Sequence, residues 1–482
     1  MPVQDLREWI ANTDARGDLK RINGADWQSE IGAITNLYQR QPGLPALLFD
    51  EVPGYPKGFR VLSNSLASFA RIATTLEMPA TATPLEIVAR WRNVMTSVKP
   101  IPANVVEKGP VLENVLTGDA INVMKFPTPK WHELDGGRYI GTGDMILTKD
   151  PDTDWVNSGT YRVMVHDEKH TALMISPGKH GRIIREKYWA KGQPCPVVVV
   201  AGQDPLLYMC SGMELPFGMT EYDFAGAIRG KAIDVIKGAT TGLPIPATAE
   251  IAIEGLLYPD NWKDEGPFGE WTGYYAGATR PEPQITVTAV LHRNDPIMLG
   301  SSPSVPPSDT SFFRSPLRSA IVWNQLEGAG IPGVTGVWAH ESGGGRLFLI
   351  VSIKQMYPGH SRQAGLVASQ CHGGAYTNRW VIVVDEDVDI TDTNQVLWAT
   401  LTRCDPVEDM EILRKCWSTH LDPLAYPIDK GRYFNNRVVF DACRSYERKD
   451  TFPPVVGVSQ KDEDNAKAKW PELFDPKAGY RL

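Results

Sequence analysis

Two short segments carry the side chains best suited to moving a proton on an acid. Trp155-Val156-Asn157-Ser158-Gly159-Thr160-Tyr161-Arg162 supplies an arginine. Asp264-Glu265-Gly266-Pro267-Phe268-Gly269-Glu270-Trp271 supplies two glutamates, one at each end of a Gly-Pro-Phe-Gly turn through which no regular element should run. Arginine stays charged and can hold a carboxylate through two parallel hydrogen bonds. A carboxylate beside a guanidinium has its pKa lowered, and one beside a second carboxylate has it raised. One glutamate can therefore stay ionised while the other keeps a proton to donate. The plainer alternative is a solvated ion network. Trp155, Tyr161, Phe268, Trp271, Tyr274 and Tyr275 crowd the two segments, however, and desolvating rings are what pKa tuning needs.

A second constellation suits an anion and a cation together. His180 follows Ser176-Pro177-Gly178-Lys179 and should open a helix whose first amides face an anion. Glu221 stands at a second helix start, after Pro216-Phe217-Gly218-Met219-Thr220, and Asn157 precedes Gly159. Asn oxygen, Glu oxygen and His nitrogen form a hard, mixed donor set suited to Mg²⁺ or Mn²⁺ bridging a phosphate, with Lys179 adjacent. Taken singly, His180 reads more readily as a helix cap than as a ligand, and Glu221 as an ordinary partner of the helix dipole.

The elements that must position these residues fall into three stretches, as 482 residues are too many for one core. Leu6, Trp9 and Ile10, then Ile31, Ile34 and Leu37, recur at helical spacing. With strands at Ala46–Phe49 and Phe59–Leu62 and a helix around Ser65–Leu76, they predict a small α/β domain ending near a linker at Lys99–Pro102. From about Asn122 the pattern turns to strands, at Val163–Val165, Thr171–Ile175, Val197–Val200, Ile233–Ile236, Ala249–Ile253 and Gln284–Leu291. Helices near Gly181–Trp189 and Thr220–Arg229 interrupt them, which predicts a barrel-like central domain. After Ser301–Pro307, helices (Phe312–Leu326, His360–Ser369, Asn394–Leu401) alternate with strands (Val334–Trp338, Leu347–Ile353, Val381–Val384) in a third, α/β domain. The charged tail from Glu447 suits an exposed or partner-packing helix.

Composition narrows the partners. Hydrophobic residues at 42% and charged residues at 22% describe an ordinary globular protein. A net charge of −8 argues against nucleic acid or an anionic membrane. No apolar run is long enough to cross a bilayer, the densest being Pro196–Gly202, and Met1–Asp5 shows no export pattern. Cys195, Cys210, Cys371, Cys404, Cys416 and Cys443 show no CxxC spacing and read as free thiols in a cytoplasmic protein.

Asn157, Arg162, His180, Glu221, Glu265 and Glu270 together resemble the UbiD-type decarboxylase family in order and spacing. The likeness continues through Tyr357-Pro358-Gly359-His360-Ser361-Arg362, Val384-Asp385-Glu386-Asp387-Val388-Asp389 and Thr402-Arg403-Cys404-Asp405-Pro406, and so covers nearly the whole chain. The resemblance implies an N-terminal α/β domain (1–110), a flavin-binding split β-barrel (111–308) and a C-terminal α/β oligomerisation domain (309–482). It implies prenylated FMN, with a divalent ion (Mn²⁺ or Mg²⁺) on Asn157, His180 and Glu221, and K⁺ at the segment matching Trp155, Cys210, Ser211 and Met213. Ser158, Thr160, Tyr161, Arg162, Lys179, Ser211 and Met213 would line the cofactor. Arg379 stands where ferulic acid decarboxylase, a family member, carries a phosphate-binding lysine; this departure keeps the charge and changes the geometry.

By the same resemblance the reaction is a reversible, non-oxidative decarboxylation of an aromatic, heteroaromatic or α,β-unsaturated acid. The cofactor supplies the carbon chemistry; the protein supplies grip, orientation and a proton. Arg162 would orient the substrate carboxylate, Glu270 deliver the proton and Glu265 hold Arg162. A UbiX-type flavin prenyltransferase would supply the cofactor, and the chain would form a homo-oligomer, dimer or hexamer. Segments Ser311–Leu317 and Leu424–Ile428 should line the substrate pocket. Phe312, Phe313, Leu317 and Tyr426 would make a flat apolar slot there, or else pack a domain interface. Two other functions compete. One is a non-catalytic scaffold subunit, which has no need of the Glu-Arg-Glu set. The other is a metal hydrolase, for which a single histidine is a poor fit.

Overall fold

The opening apolar spacings do form helices. Leu6, Trp9 and Ile10 are buried on Leu6–Ala15, whose start is capped by Asp5 accepting from the Glu8 amide. Ile31 is buried on the helix Glu30–Gln39. The computed structural model describes residues 4–474 except 42, 98, 214, 216, 430 and 431, and leaves out the side chains of 426–429 and 432. The first sheet runs in the order Leu19–Asn23, Ala46–Asp50, Arg60–Ser63, Ile297–Leu299. Its last strand, parallel to Arg60–Ser63, returns from far along the chain, so sheet membership does not follow sequence order. A helix at Pro84–Ser97, with Ile87, Val88, Trp91 and Val94 buried, completes this layer.

The central sheet has nine strands and curls into a half-open barrel. Its path runs Arg138–Gly141, Arg162–Val165, His170–Met174, Arg280–His292, Ile251–Glu265, Cys195–Val200, Met145–Lys149, Val156–Gly159, with Asn114–Thr117 on the side. The hairpin Ile251–Glu265/Arg280–His292 is its spine, and register shifts at Glu254/Gly255 and Leu257/Trp262 bend it. This strand extends beyond the Ala249–Ile253 run legible in the sequence and delivers Glu265 at its last position, directly opposite Arg280. Helices His180–Ala190 and Glu221–Arg229 begin at the two residues singled out for ligation.

The third sheet runs Val334–Ala339, Phe348–Ile353, Trp380–Asp385, Arg432–Ala442, Met410–Trp417, with Tyr426–Asp429 on the side. Against it lie helices Asp309–Gly328, His360–Gln370 and Thr393–Arg403. One buried apolar cluster reaches through all three stretches; Phe69, for example, stacks edge-on against Phe312 and Trp338 at 5.3 and 5.5 Å. The tail forms an exposed helix, Gln460–Lys469. Among the described residues no helix is long and apolar enough to cross a membrane.

Candidate active site

Arg162 opens a strand whose first pair is Arg162 opposite Met174, so its side chain is set by the antiparallel ladder. Its guanidinium forks onto Glu265, with Nε to Oε1 at 2.8 Å and Nη2 to Oε2 at 2.7 Å. The remaining nitrogen, Nη1, donates to Glu270 Oε1. Glu265 is fully buried and also accepts from the Tyr139 hydroxyl at 2.9 Å. The Tyr139 ring packs on Phe268 at 4.2 Å, and Arg162 lies over the same Phe268 ring at 5.5 Å. Glu270 is held by its backbone: its amide donates to the Tyr274 carbonyl, and its carbonyl accepts from the Gly273 amide. The turn between the glutamates is pinned from outside. Gly136 N–H donates to the Pro267 carbonyl at 2.7 Å, and Asp135 accepts from the Gly269 amide at 3.1 Å. A Cβ on Gly136 would stand 2.0 Å from the Gly266 carbonyl oxygen, so only glycine fits that approach.

Burial and neighbouring charges set the state of Glu270. Burial pushes the Glu270 carboxyl up to about 7; the Glu265 charge adds to the rise, while Arg162 and Arg280 hold it back. Burial alone would lower the Arg162 pKa, but Glu270 and Glu265 together raise it. Arg162 is therefore a permanent cation, and Glu270 sits poised between proton donor and carboxylate near neutral pH. Arg162 and Glu270 both line a cavity of about 340 Å³, whereas Glu265 stands behind Arg162 and does not.

Asn157, His180 and Glu221 line the same cavity. Asn157 lies on Val156–Gly159 with its amide Nδ2 buried and unpaired. Glu221, almost fully buried, accepts from the Ser158 amide at 2.8 Å. Burial raises its carboxyl to about 8, so a bound cation is the natural compensation for this group as a carboxylate. Trp155 braces the corner, with its ring 5.1 Å from His180 and 4.4 Å from Phe217, and its Nε1 donating to the Met219 carbonyl. This donor set of amide, imidazole and carboxylate fits a hard divalent ion. Among the described residues no three His, Cys, Asp or Glu side chains gather into a metal site.

The other sequence-designated residues divide. Ser158, Thr160, Tyr161, Lys179, Ser211 and Met213 line the cavity. Ser158 and Ser211 share a hydroxyl hydrogen bond of 2.7 Å, and the Ser211 carbonyl accepts from the Thr160 amide. Trp155 and Cys210 do not line it; Cys210 is buried, and burial pushes its thiol well up. Arg379 is also absent from the lining, because its guanidinium grips Asp422 at 2.6 and 2.7 Å. The slot expected of Phe312, Phe313 and Leu317 does not form. On the helix Asp309–Gly328 these three face the core, with Phe313 edge-on to Tyr208 at 5.1 Å. Thr310 and Arg314, four positions apart on the same helix, turn to the cavity instead. Leu424 is exposed, and the side chains of 426–428 lie outside the described residues.

Arg314 falls within the expected segment Ser311–Leu317, whereas sequence reasoning missed the rest of the wall built by the third stretch: Arg346, His372, Tyr376, Trp417 and Leu421. One signal was present, the run Gly343-Gly344-Gly345-Arg346. Gly344 and Gly345 both take left-handed backbone (φ +66° and +67°), and a Cβ on Gly344 would stand 2.5 Å from the Trp271 ring. The turn thus lets the residue after Glu270 nest against the third stretch.

Comparison with known proteins identifies the family. Residues 10–91, 104–306 and 311–442 match the N-terminal, Rift-related and C-terminal domains of 3-octaprenyl-4-hydroxybenzoate carboxy-lyase. The chain is 31% identical over 452 residues to pyrrole-2-carboxylic acid decarboxylase of Pseudomonas aeruginosa, covering 91% of this chain and 90% of that protein. It superposes with a TM-score of 0.86 and 26% identity on vanillic acid decarboxylase of Sedimentibacter hydroxybenzoicus in an open form, covering 98% and 99% of the two chains. It superposes with 0.84 and 27% on the UbiD-class enzyme HmfF of Pelotomaculum thermopropionicum in complex with FMN, covering 95% and 98%. An evolved dimeric form of HmfF in complex with prFMN matches with a TM-score of 0.80 and 26% identity, covering 96% and 98%. With all three domain types in order and a curated relative aligned over nine-tenths of its length, the chain belongs to the UbiD family of carboxy-lyases.

Proposed function

We propose that this protein is a reversible, non-oxidative decarboxylase of an aromatic, heteroaromatic or α,β-unsaturated carboxylic acid, working with prenylated FMN. The observation that carries this reading is Arg162 clamped between buried Glu265 and a Glu270 poised near neutrality, on the wall of a cavity shared with Asn157, His180 and Glu221. The modified flavin, when bound, supplies the carbon chemistry that makes loss of carbon dioxide feasible. Arg162 orients the substrate carboxylate. Glu270, in its protonated form, delivers the proton that replaces the departing carboxyl group. Glu265 and Tyr139 fix the guanidinium so that Arg162 cannot turn away.

Asn157, His180 and Glu221 would hold Mn²⁺ or Mg²⁺, which would offset the charge of the flavin phosphate, with Lys179 as a further cation. Ser211 and Met213, with the backbone of Trp155 and Cys210, hold K⁺. Ser158, Thr160 and Tyr161 shape the flavin bed. The cofactor comes from a UbiX-type flavin prenyltransferase. The protein works as a homo-oligomer, and its six free thiols suit the reducing cytoplasm.

The test is carbon dioxide release per milligram from a carboxylic-acid panel, after expression with and without the prenyltransferase. Activity should rise steeply with the partner enzyme while the yield of folded protein is unchanged. Equal activity in a host lacking any such enzyme would overturn the cofactor assignment.

A further inference from the structure

Arg280 brings a second arginine onto the sheet face that carries the reacting acids. It opens the strand Arg280–His292 directly opposite Glu265, the last residue of Ile251–Glu265. Paired residues in an antiparallel ladder point to one face of the sheet, and every second residue along a strand shares that face. Ala172 pairs with Gln284, and Arg162 pairs with Met174. Arg162, Met174, Glu282, Arg280 and Glu265 therefore stand on a single face, whose Arg162 and Met174 line the cavity.

Arg280 is held in place. Its Nε donates to Glu282 Oε1 at 2.7 Å, with the Arg280 side chain 36% exposed and that of Glu282 11%. Its neighbour Thr279 donates a hydroxyl hydrogen bond of 3.0 Å to the Gly266 carbonyl, inside the turn that joins Glu265 to Glu270. Among the described residues, the charged and titratable groups packed around Glu270 come from three directions. The barrel strands bring Arg162, Glu265 and Arg280; the loop beneath the turn brings His132 and Asp135; the third stretch brings Arg346, over the Trp271 ring, and His420. Burial raises the Glu270 carboxyl, Arg162 lowers it, Glu265 raises it and Arg280 lowers it, in that order of size. Burial, then Arg280 and Arg162, push the His420 imidazole down to about 4, so His420 is neutral where Glu270 titrates.

We infer that Arg280 is a positioning residue of the decarboxylation, the second arginine of the proton-donor network, acting on Glu270 from beyond Glu265. This deepens the decarboxylase reading above and rests on it. A buried acid beside a second carboxylate holds its proton tightly, and a donor works best when its acidity is matched to the working pH. As the O–H bond of Glu270 breaks and the product C–H bond forms, Arg280 stabilises the carboxylate left behind. Water then returns the proton to Glu270. Glu282 keeps Arg280 on the cavity face during both steps.

The experiment titrates Glu270 itself on the flavin-loaded full chain, through the infrared carboxylic-acid band that Glu270→Gln removes. The alkaline limb of kcat/KM is measured alongside, on an acid that the panel shows to be turned over. In Arg280→Gln both midpoints should rise by roughly half to one pH unit, since a cation that favours the carboxylate is gone. Flavin absorbance should stay unchanged. Arg280→Lys keeps the charge and should restore the parent midpoints. Salt at about 1 M should raise the parent midpoint, because Arg280 is partly exposed and its field is screened. That response decides the question even if Arg280→Gln does not fold, and a midpoint indifferent to salt would overturn the inference. Midpoints unmoved by Arg280→Gln, or moved as far by Arg280→Lys, would also overturn it and leave Arg280 as a tie on the turn. If the parent shows no band that Glu270→Gln removes, the proton-donor reading fails and the inference goes with it. A band that is present but does not respond to Arg280 sinks the inference alone.

Discussion

Glu265 and Glu270 take different nitrogens of one guanidinium: Glu265 accepts from Nε and Nη2 of Arg162, and Glu270 accepts from Nη1. The two acids therefore do not compete for the arginine. Only Glu270 of the pair reaches the cavity, so only Glu270 can give a proton to a substrate.

Glu270→Gln should reduce decarboxylation by about a hundred- to ten-thousandfold, the usual worth of a positioned proton donor. Glutamine keeps the shape and the contact with Arg162 but has no carboxylic proton to give. Flavin and metal content should match the parent protein by absorbance and elemental analysis. Undiminished turnover, with solvent deuterium still incorporated into product, would remove Glu270 from this role.

The pH profile should carry the same signature. Burial and then the Glu265 charge raise the Glu270 carboxyl to about 7, so the donor form dominates below that value and is lost above it. Decarboxylation should decline on the alkaline side with a midpoint near 7. Because the folded pKa exceeds the ordinary 4.5, protonation favours the fold at low pH, and that contribution disappears as pH rises from about 4.5 through 7. A kcat/KM profile flat from pH 6 to 9 would contradict the assignment.

His180→Ala and Glu221→Ala should lower flavin occupancy far more than they disturb folding. Each removes one donor from the set around the cavity, whereas the helices they open remain tied to the barrel by Ile184 and by Tyr222 and Phe224. Flavin per chain and the circular dichroism melting curve are the paired measurements. Variants that melt early yet keep full flavin would make these residues structural.

Gly136→Ala probes the turn without touching the cavity. The added methyl meets the Gly266 carbonyl at 2.0 Å, and the relief must move the segment that joins Glu265 to Glu270. Such overpacking costs about 1–3 kcal/mol. Activity should fall more steeply than flavin content, because Asn157, His180 and Glu221 stand on other elements. Full activity with an unchanged denaturation midpoint would mean that the turn tolerates the shift.

Much of this site is written locally. Glycine and proline around Phe268 dictate a turn, and that turn places two acids close together whatever the rest of the fold does. Apolar spacing announced the helices that begin at Leu6 and Glu30, and the order of Asn157, Arg162, His180, Glu221, Glu265 and Glu270 pointed to the family. The strands Leu19–Asn23 and Met410–Trp417 escaped notice because both are largely exposed and offer no continuous apolar run. Other features depend on distance in three dimensions. That the Glu270 carboxyl is pushed up follows from its burial, and burial is a property of packing. That Phe312 and Phe313 face the core while Arg314 faces the cavity follows from how one helix is rotated against Tyr208 and Phe69. Arg379 could be drawn toward the phosphate by sequence position, but only the fold brings Asp422 across to hold it. Residue types and spacing thus determined the family, since turns and helix starts are set by neighbours in the chain. The tertiary structure decided the charges and the cavity wall, since desolvation and cross-domain contact arise only when distant segments meet.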